Sequence, residues 1–197
     1  MEKTNRGIMM AAPAAMAVLL LGVFAPGTAL FGAQKATTDS VGPHGYVVVT
    51  VTRDGQEIYR NEQHNLITTV GKDFISAQLG STSPGSNGAN YIALTTTAVT
   101  PAAGDTALAS EITTNGLSRA QGTYAHTAGQ STFTVSKTFT ATNSFTNVQA
   151  AGLFTAAVTG SPGAGGDDGT MMAENTFTAV SLANNDQLTI TWTITLS

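Results

Sequence analysis

The chain has 197 residues, a formal net charge of −4 and only 10% charged residues, with Thr, Ser, Asn, Gln and Gly in place of the missing charges; about 25% charged is usual for a globular domain. Its six basic residues after position 34 (Lys35, Arg53, Arg60, Lys72, Arg119, Lys137) are scattered, which excludes the cationic cluster that a nucleic-acid backbone requires. The lack of cysteine excludes thiolate catalysis, Cys-ligated zinc and a disulfide framework.

Residues 1–34 read as a signal peptide or membrane anchor. Lys3 and Arg6 precede a stretch, residues 7–34, that holds no charged side chain. A basic start followed by an apolar run is the pattern of a translocation signal. The densest part, residues 8–24, reaches the lower limit of about 17 residues for spanning a bilayer, and continuation to residue 33 extends it. Three fates are open. Cleavage after Gly27-Thr28-Ala29 releases a secreted domain, and retention leaves an anchor through residues 8–33 with its basic end in the cytoplasm. The third is cleavage after Gly7. Arg6-Gly7 directly before the apolar run resembles the processing site of archaeal type IV pilins. That resemblance implies a hydrophobic helix, with Pro13 inside it, which is kept and becomes a filament core.

Residues 35–45 read as a linker and residues 46–197 as one domain, large enough to fold without disulfides or metals. Residues 46–52 are rich in β-branched side chains, and Asp54-Gly55 supplies the positive-φ positions of a tight hairpin returning through residues 56–60. One short helix follows. Ile67, Val70, Phe74, Ile75 and Leu79 share a face at helical spacing, Thr68 or Thr69 caps its start, and Gly80 ends it. After a Gly/Ser/Asn/Pro loop over residues 80–90, residues 91–95 form a short strand. A long polar connection, residues 96–115, comes next, in which Asp105 caps a single helical turn through Ser110.

The second half alternates most clearly. In residues 188–196 every even position is apolar and every odd one is Thr, which places Trp192 and its neighbours on one face and four hydroxyls on the other. Residues 132–141 repeat the scheme, with Phe133, Val135 and Phe139 inward. A strand over 117–128 precedes them, joined by a turn at residues 128–131. Residues 148–158 are apolar on both faces, the mark of a central or covered strand. The Gly-rich loop 160–170 leads to a strand over 171–182, and Asn184-Asn185-Asp186 opens the last turn. The expected fold is all-β: an antiparallel β-sandwich of about seven or eight strands with one short helix, preceded by an N-terminal hydrophobic helix.

Chemistry-bearing motifs are scarce. His44, His64 and His126 have no partner at metal-ligand spacing, and there is no H-E-x-x-H, G-x-S-x-G, P-loop or post-strand G-x-G-x-x-G. No catalytic residue and no organic cofactor are expected. The only candidate metal ligands are Asp167 and Asp168, two adjacent carboxylates in the Gly-rich loop suited to calcium. The exposed Thr rows suit a soluble sheet, lateral packing between copies, or contact with surface glycans.

Residues 65–75 (Asn-Leu-Ile-Thr-Thr-Val-Gly-Lys-Asp-Phe-Ile) lead into Tyr91-Ile92-Ala93-Leu94, then residues 100–108 (Thr-Pro-Ala-Ala-Gly-Asp-Thr-Ala-Leu) and Glu111-Ile112. This succession is similar to small structural proteins of tailed-virus tails and fibres, and to related exported archaeal appendage proteins. The resemblance implies a non-catalytic role in a particle or appendage. Together with the leader, it sets the expectation of an extracellular or cell-surface structural subunit that self-associates into a homo-oligomer or filament. A virion tail, fibre or spike protein and a secreted carbohydrate-binding or adhesive module are the alternatives. The expected strand donors between copies are residues 188–196 and 35–52.

Overall fold

The computed structural model describes residues 42–82, 88–157 and 169–196, all within one compact unit, Ser40–Ser197. The expected N-terminal hydrophobic helix lies outside the described residues. The described residues are mostly strand, with one helix. In order it runs β1 (Pro43–Arg53), β2 (Gln56–His64), β3 (Leu66–Ile67), α1 (Thr69–Gly80), β4 (Tyr91–Thr95) and β5 (Ala120–Gln121). Then follow β6 (Thr123–His126), β7 (Thr132–Thr140), β8 (Phe145–Phe154), β9 (Met171–Leu182) and β10 (Gln187–Leu196). They build two antiparallel five-stranded sheets, ordered β2-β1-β10-β7-β6 and β3-β9-β8-β4-β5.

Period-two alternation explains the first sheet. Val47, Val49 and Val51 of β1, Val135 and Phe139 of β7, and Leu188, Ile190, Trp192 and Ile194 of β10 all point into one core. Ile92, Leu94, Val148, Leu153 and Phe177 reach the same core from the second sheet. The turn residues behave as their chemistry requires: Asp54 and Gly55 take φ of 50° and 79°, and Asn185 takes 71°, which Gly, Asn and Asp tolerate best.

Ten strands are described where seven or eight were expected, because two are only two residues long and one expected strand is split. The strand expected over 117–128 breaks at Gly122, where the chain leaves the second sheet as β5 and enters the first as β6. A Cβ on Gly122 would lie 2.8 Å from Val135 Cγ1 and 2.9 Å from the Ser136 carbonyl oxygen, so the corner is passable only without a side chain. β1 begins at Pro43, inside the stretch read as linker, and takes His44 with it. The single helical turn expected from Asp105 is a hydrogen-bonded turn instead. Asp105 Oδ2 accepts from the Ala102 N–H at 2.7 Å, and the Asp105 N–H donates to the Ala102 carbonyl at 3.0 Å.

Of the two residues proposed to start α1, Thr68 is the cap. Its hydroxyl oxygen accepts from the Gly71 N–H at 3.0 Å and donates to the Met171 carbonyl, and the side chain is fully buried. Thr68 thus joins the helix start to β9. Thr68→Val keeps the shape and removes both bonds, so it is expected to cost about 1–2 kcal/mol. Urea unfolding measures this; a midpoint equal to that of the parent would refute the assignment.

β8 is central, between β9 and β4, as its two apolar faces require. What covers its second face is the long connection after β4. Val99 and Leu108 pack on Ala93, Ala150, Phe154 and Met171 in a smaller, separate cluster. The connection is anchored by Thr95, whose hydroxyl donates to the Ala109 carbonyl at 2.7 Å, and by Thr176, whose hydroxyl donates to the Val99 carbonyl at 3.1 Å.

Candidate functional site

Asp167 and Asp168, the candidate calcium ligands, lie outside the described residues. The three histidines do not converge. His44 opens β1, His64 ends β2 and His126 ends β6, with its Nδ1 2.9 Å from the Thr132 carbonyl oxygen. Among the described residues no three His, Asp or Glu side chains gather as a metal site would need, and no helix is long and apolar enough to cross a membrane.

Three carboxylates are partnered in ways the sequence did not announce. Glu111 takes a two-pronged ion pair from Arg119, Nε to Oε1 at 2.9 Å and Nη2 to Oε2 at 2.6 Å. The guanidinium also lies 3.6 Å over the Phe154 ring. Both charged side chains are almost wholly buried. Asp186 holds Arg53 by the same fork, at 2.8 and 2.6 Å, and also accepts from the Ala183 N–H. Arg53 keeps the Asp186 carboxyl below its usual range, through the hydrogen bond first. Glu174 of β9 is different. Burial, and then a hydrogen bond and charge repulsion from Asp105, raise its carboxyl to about 7. One of its oxygens, Oε2, has no protein partner. An acid beside an acid suits a shared proton. The small cleft there is lined by His64, Pro101, Glu174 and Thr176 among others, and the Thr176 hydroxyl donates to the Val99 carbonyl.

The outer face of the first sheet carries the Thr rows. Thr138 pairs with Thr189 and Ser136 with Thr191, hydroxyl to hydroxyl at 2.8 Å each, in the cross-strand register of β7 and β10. These hydroxyls satisfy one another, which stabilises the sheet and leaves fewer groups free to hold a sugar.

The feature with the strongest demand for a partner is one edge of that sheet. The other long edge, β2, carries Glu57, Arg60 and Glu62, charges that oppose pairing with another chain. The edges of the second sheet, β3 and β5, are only two residues long. β6, in contrast, is Thr123-Tyr124-Ala125-His126, uncharged apart from the histidine and exposed throughout. Among the described residues it pairs with β7 alone. Beside it opens a groove of about 520 Å³ between α1 and the inner face of the first sheet, lined by Phe74, Ile75, Leu79, Tyr124, Phe133 and Leu196 among others. Tyr124 and Phe133 stack in tilted contact, centroids 5.6 Å apart. Leu79 is 80% exposed, Tyr124 56% and Leu196 44%. Among the described residues, three of the five exposed large apolar side chains thus converge on one groove, where scattered single ones would call for no explanation.

Sequence reasoning found the helical stripe of Phe74, Ile75 and Leu79, but not what covers it. The signal that it is incompletely covered was present only in the lengths of the neighbouring strands, since the β6 edge is created by the break at Gly122. The expected strand donors are also placed differently: 188–196 is β10, paired on both sides by β1 and β7, and residues 43–52 are in β1, paired by β2 and β10. Both described stretches are thus already paired on two sides within the chain. No protein-family model matches the chain, and no curated protein or solved structure is significantly similar to it.

Proposed function

We propose that this chain is a non-enzymatic structural subunit of an extracellular appendage, filament or cell-surface layer. Its two sheets act as a β-sandwich behind an N-terminal hydrophobic helix that exports or anchors it. Copies assemble through a strand edge, through that segment, or through both. The observation that carries this reading is the β6 edge with its open apolar groove. An unpaired, nearly uncharged strand presents N–H and C=O groups to another chain, and the groove offers apolar surface whose removal from water favours association. The charge-free stretch of residues 7–34 supports export.

A virion tail, fibre or spike subunit would use the same surfaces and is the second reading, on the resemblance read in residues 65–75, 91–94, 100–108 and 111–112. A glycan-binding module draws less support, because Trp192 is fully buried and the central hydroxyls pair with each other.

Guarding the edge tests the proposal. Ala125→Lys with Thr123→Glu adds two exposed charges to β6 without touching the core. Negative-stain microscopy and light scattering of the full chain are expected to show extended assemblies for the parent and mainly small species for the variant. A parent that stays monomeric across a wide concentration range would refute the proposal. So would a variant that assembles as well as the parent.

A further inference from the structure

We propose that the groove between α1 and β6 receives the apolar residues 30–33, Leu-Phe-Gly-Ala, of a second copy of this chain. This rests on the assembly reading above and names the surface and the segment that meet there.

The groove has two kinds of unmet need. Its walls, Phe74, Ile75 and Leu79 on α1, Tyr124 and Phe133 on the first sheet, and Leu196 at the end of β10, are apolar and partly open to water. Its rim is β6, whose outer backbone edge is unpaired among the described residues. An occupant therefore has to be apolar in its side chains and extended in its backbone. Residues 83–87, which follow α1 in the sequence, do not qualify: they are Ser-Pro-Gly-Ser-Asn, without a large apolar side chain.

Residues 30–33 do qualify. They hold Leu30 and Phe31, lie within the charge-free stretch, and remain on the chain whether it is cleaved after Gly7 or after Ala29. Where the N-terminal segment joins the domain matters as much. β1 begins at Pro43, whose register partner is Leu196, a residue of the groove wall. The segment thus joins the domain at the groove's own end. Followed backward from Pro43, β1 points out past the end of the sheet. To fill its own groove the segment has to reverse within residues 34–42; to fill the groove of the next copy it continues. Nine residues extend to about 30 Å, enough to reach a neighbouring copy. Continuing from copy to copy, the contact is head-to-tail, and a head-to-tail contact that does not close on itself builds a filament.

Because the chain contains no cysteine, introduced pairs report without background. Phe31→Cys and Leu79→Cys are made separately in the full chain, mixed, assembled and oxidised, with Phe31→Cys mixed with Glu57→Cys as the distant control. The expected result is a two-chain band on a non-reducing gel for the Phe31→Cys and Leu79→Cys mixture, lost on reduction and missing from the control. In addition, Phe31→Asp is expected to abolish the assembled species, while leaving the circular dichroism of the sheets unchanged. A double variant, Phe31→Cys with Leu79→Cys, that oxidises within one chain and gives no two-chain band would overturn the proposal in favour of self-capping. Assemblies that persist in Phe31→Asp, or that form no Phe31–Leu79 cross-link, would also overturn it while leaving assembly through β6 standing. Failure of the parent to assemble at all is the separate outcome that removes the functional reading itself.

Discussion

Replacing Arg119 with methionine is expected to destabilise the domain by about 3–5 kcal/mol, because it strands the Glu111 carboxylate in a nearly dry site. Arg119 and Glu111 meet in a fork at 2.9 and 2.6 Å with both side chains buried, and the guanidinium also covers the Phe154 ring. The pair ties the end of the long connection over the second sheet to the start of β5. Glu111 forms a bridge with Thr95 at the end of β4, and Arg119 Nη1 reaches the Ala156 carbonyl at 3.3 Å. A domain stable by about 5–15 kcal/mol loses a large part of its margin in this way. The double replacement Arg119→Met with Glu111→Leu removes both charges and is expected to recover most of the loss. Denaturant unfolding of the parent, the two single variants and the double variant measures the coupling. If the four free energies simply add, the pair does not hold the connection in place.

The second large effect is in pH. The Glu174 carboxyl, ordinarily near 4.5, is raised to about 7 in the folded chain by burial and by Asp105. Below 4.5 both folded and unfolded chains hold the proton and nothing is lost. Between 4.5 and 7 the unfolded chain has released it and the folded chain has not, so the unfolded state binds fewer protons and stability falls as pH rises. Above 7 the loss is complete, about 3 kcal/mol in all. The other shifted carboxylate acts in the opposite sense and in another window. Asp186, held below its usual range by Arg53, contributes stability above about 3.8 that is lost as the solution is acidified further. Thermal unfolding between pH 4.5 and 8 is therefore expected to report Glu174 and not Asp186. Glu174→Gln keeps a neutral, hydrogen-bonding side chain and should flatten that slope. A parent and a variant with equal slopes would show that Glu174 is not the group responsible. This makes moderately acid conditions the most favourable for the folded domain.

How far the sequence could be read depended on whether an interaction was local. The β1–β2 hairpin followed from Asp54-Gly55 and the run before it, because a two-residue turn fixes its own strand register. The end strand followed from the Thr alternation, and all four inner side chains, Leu188, Ile190, Trp192 and Ile194, are buried. The alternation overreached by one residue: Leu196 has the right parity and stays 44% exposed, on the wall of the groove beside α1. The helix was legible for the same local reasons, with its cap narrowed to Thr68 or Thr69 and decided for Thr68 only by the structure. The candidate site was not. Phe74, Ile75 and Leu79 showed an apolar face, but periodicity does not tell whether a partner exists for it. The ion pair of Arg119 and Glu111 and the acid pair of Glu174 and Asp105 join residues of different segments, which no single helix or strand pattern brings together.

By itself, the sequence determined that this chain makes strands, where its tight turns fall, and which side of each strand is apolar, because all three are set by side-chain period and by backbone freedom at Asp, Asn and Gly. It also set residues 7–34 apart as a stretch without a charged side chain. Only the tertiary structure decided that β10 lies in the middle of its sheet and that a polar connection covers the second sheet. It alone decided that the break at Gly122 leaves β6 as an open edge beside an apolar groove. The physical reason is that strand order and edge exposure depend on which distant segments pair, and pairing energy is shared among many alternatives of similar local pattern until the whole core closes.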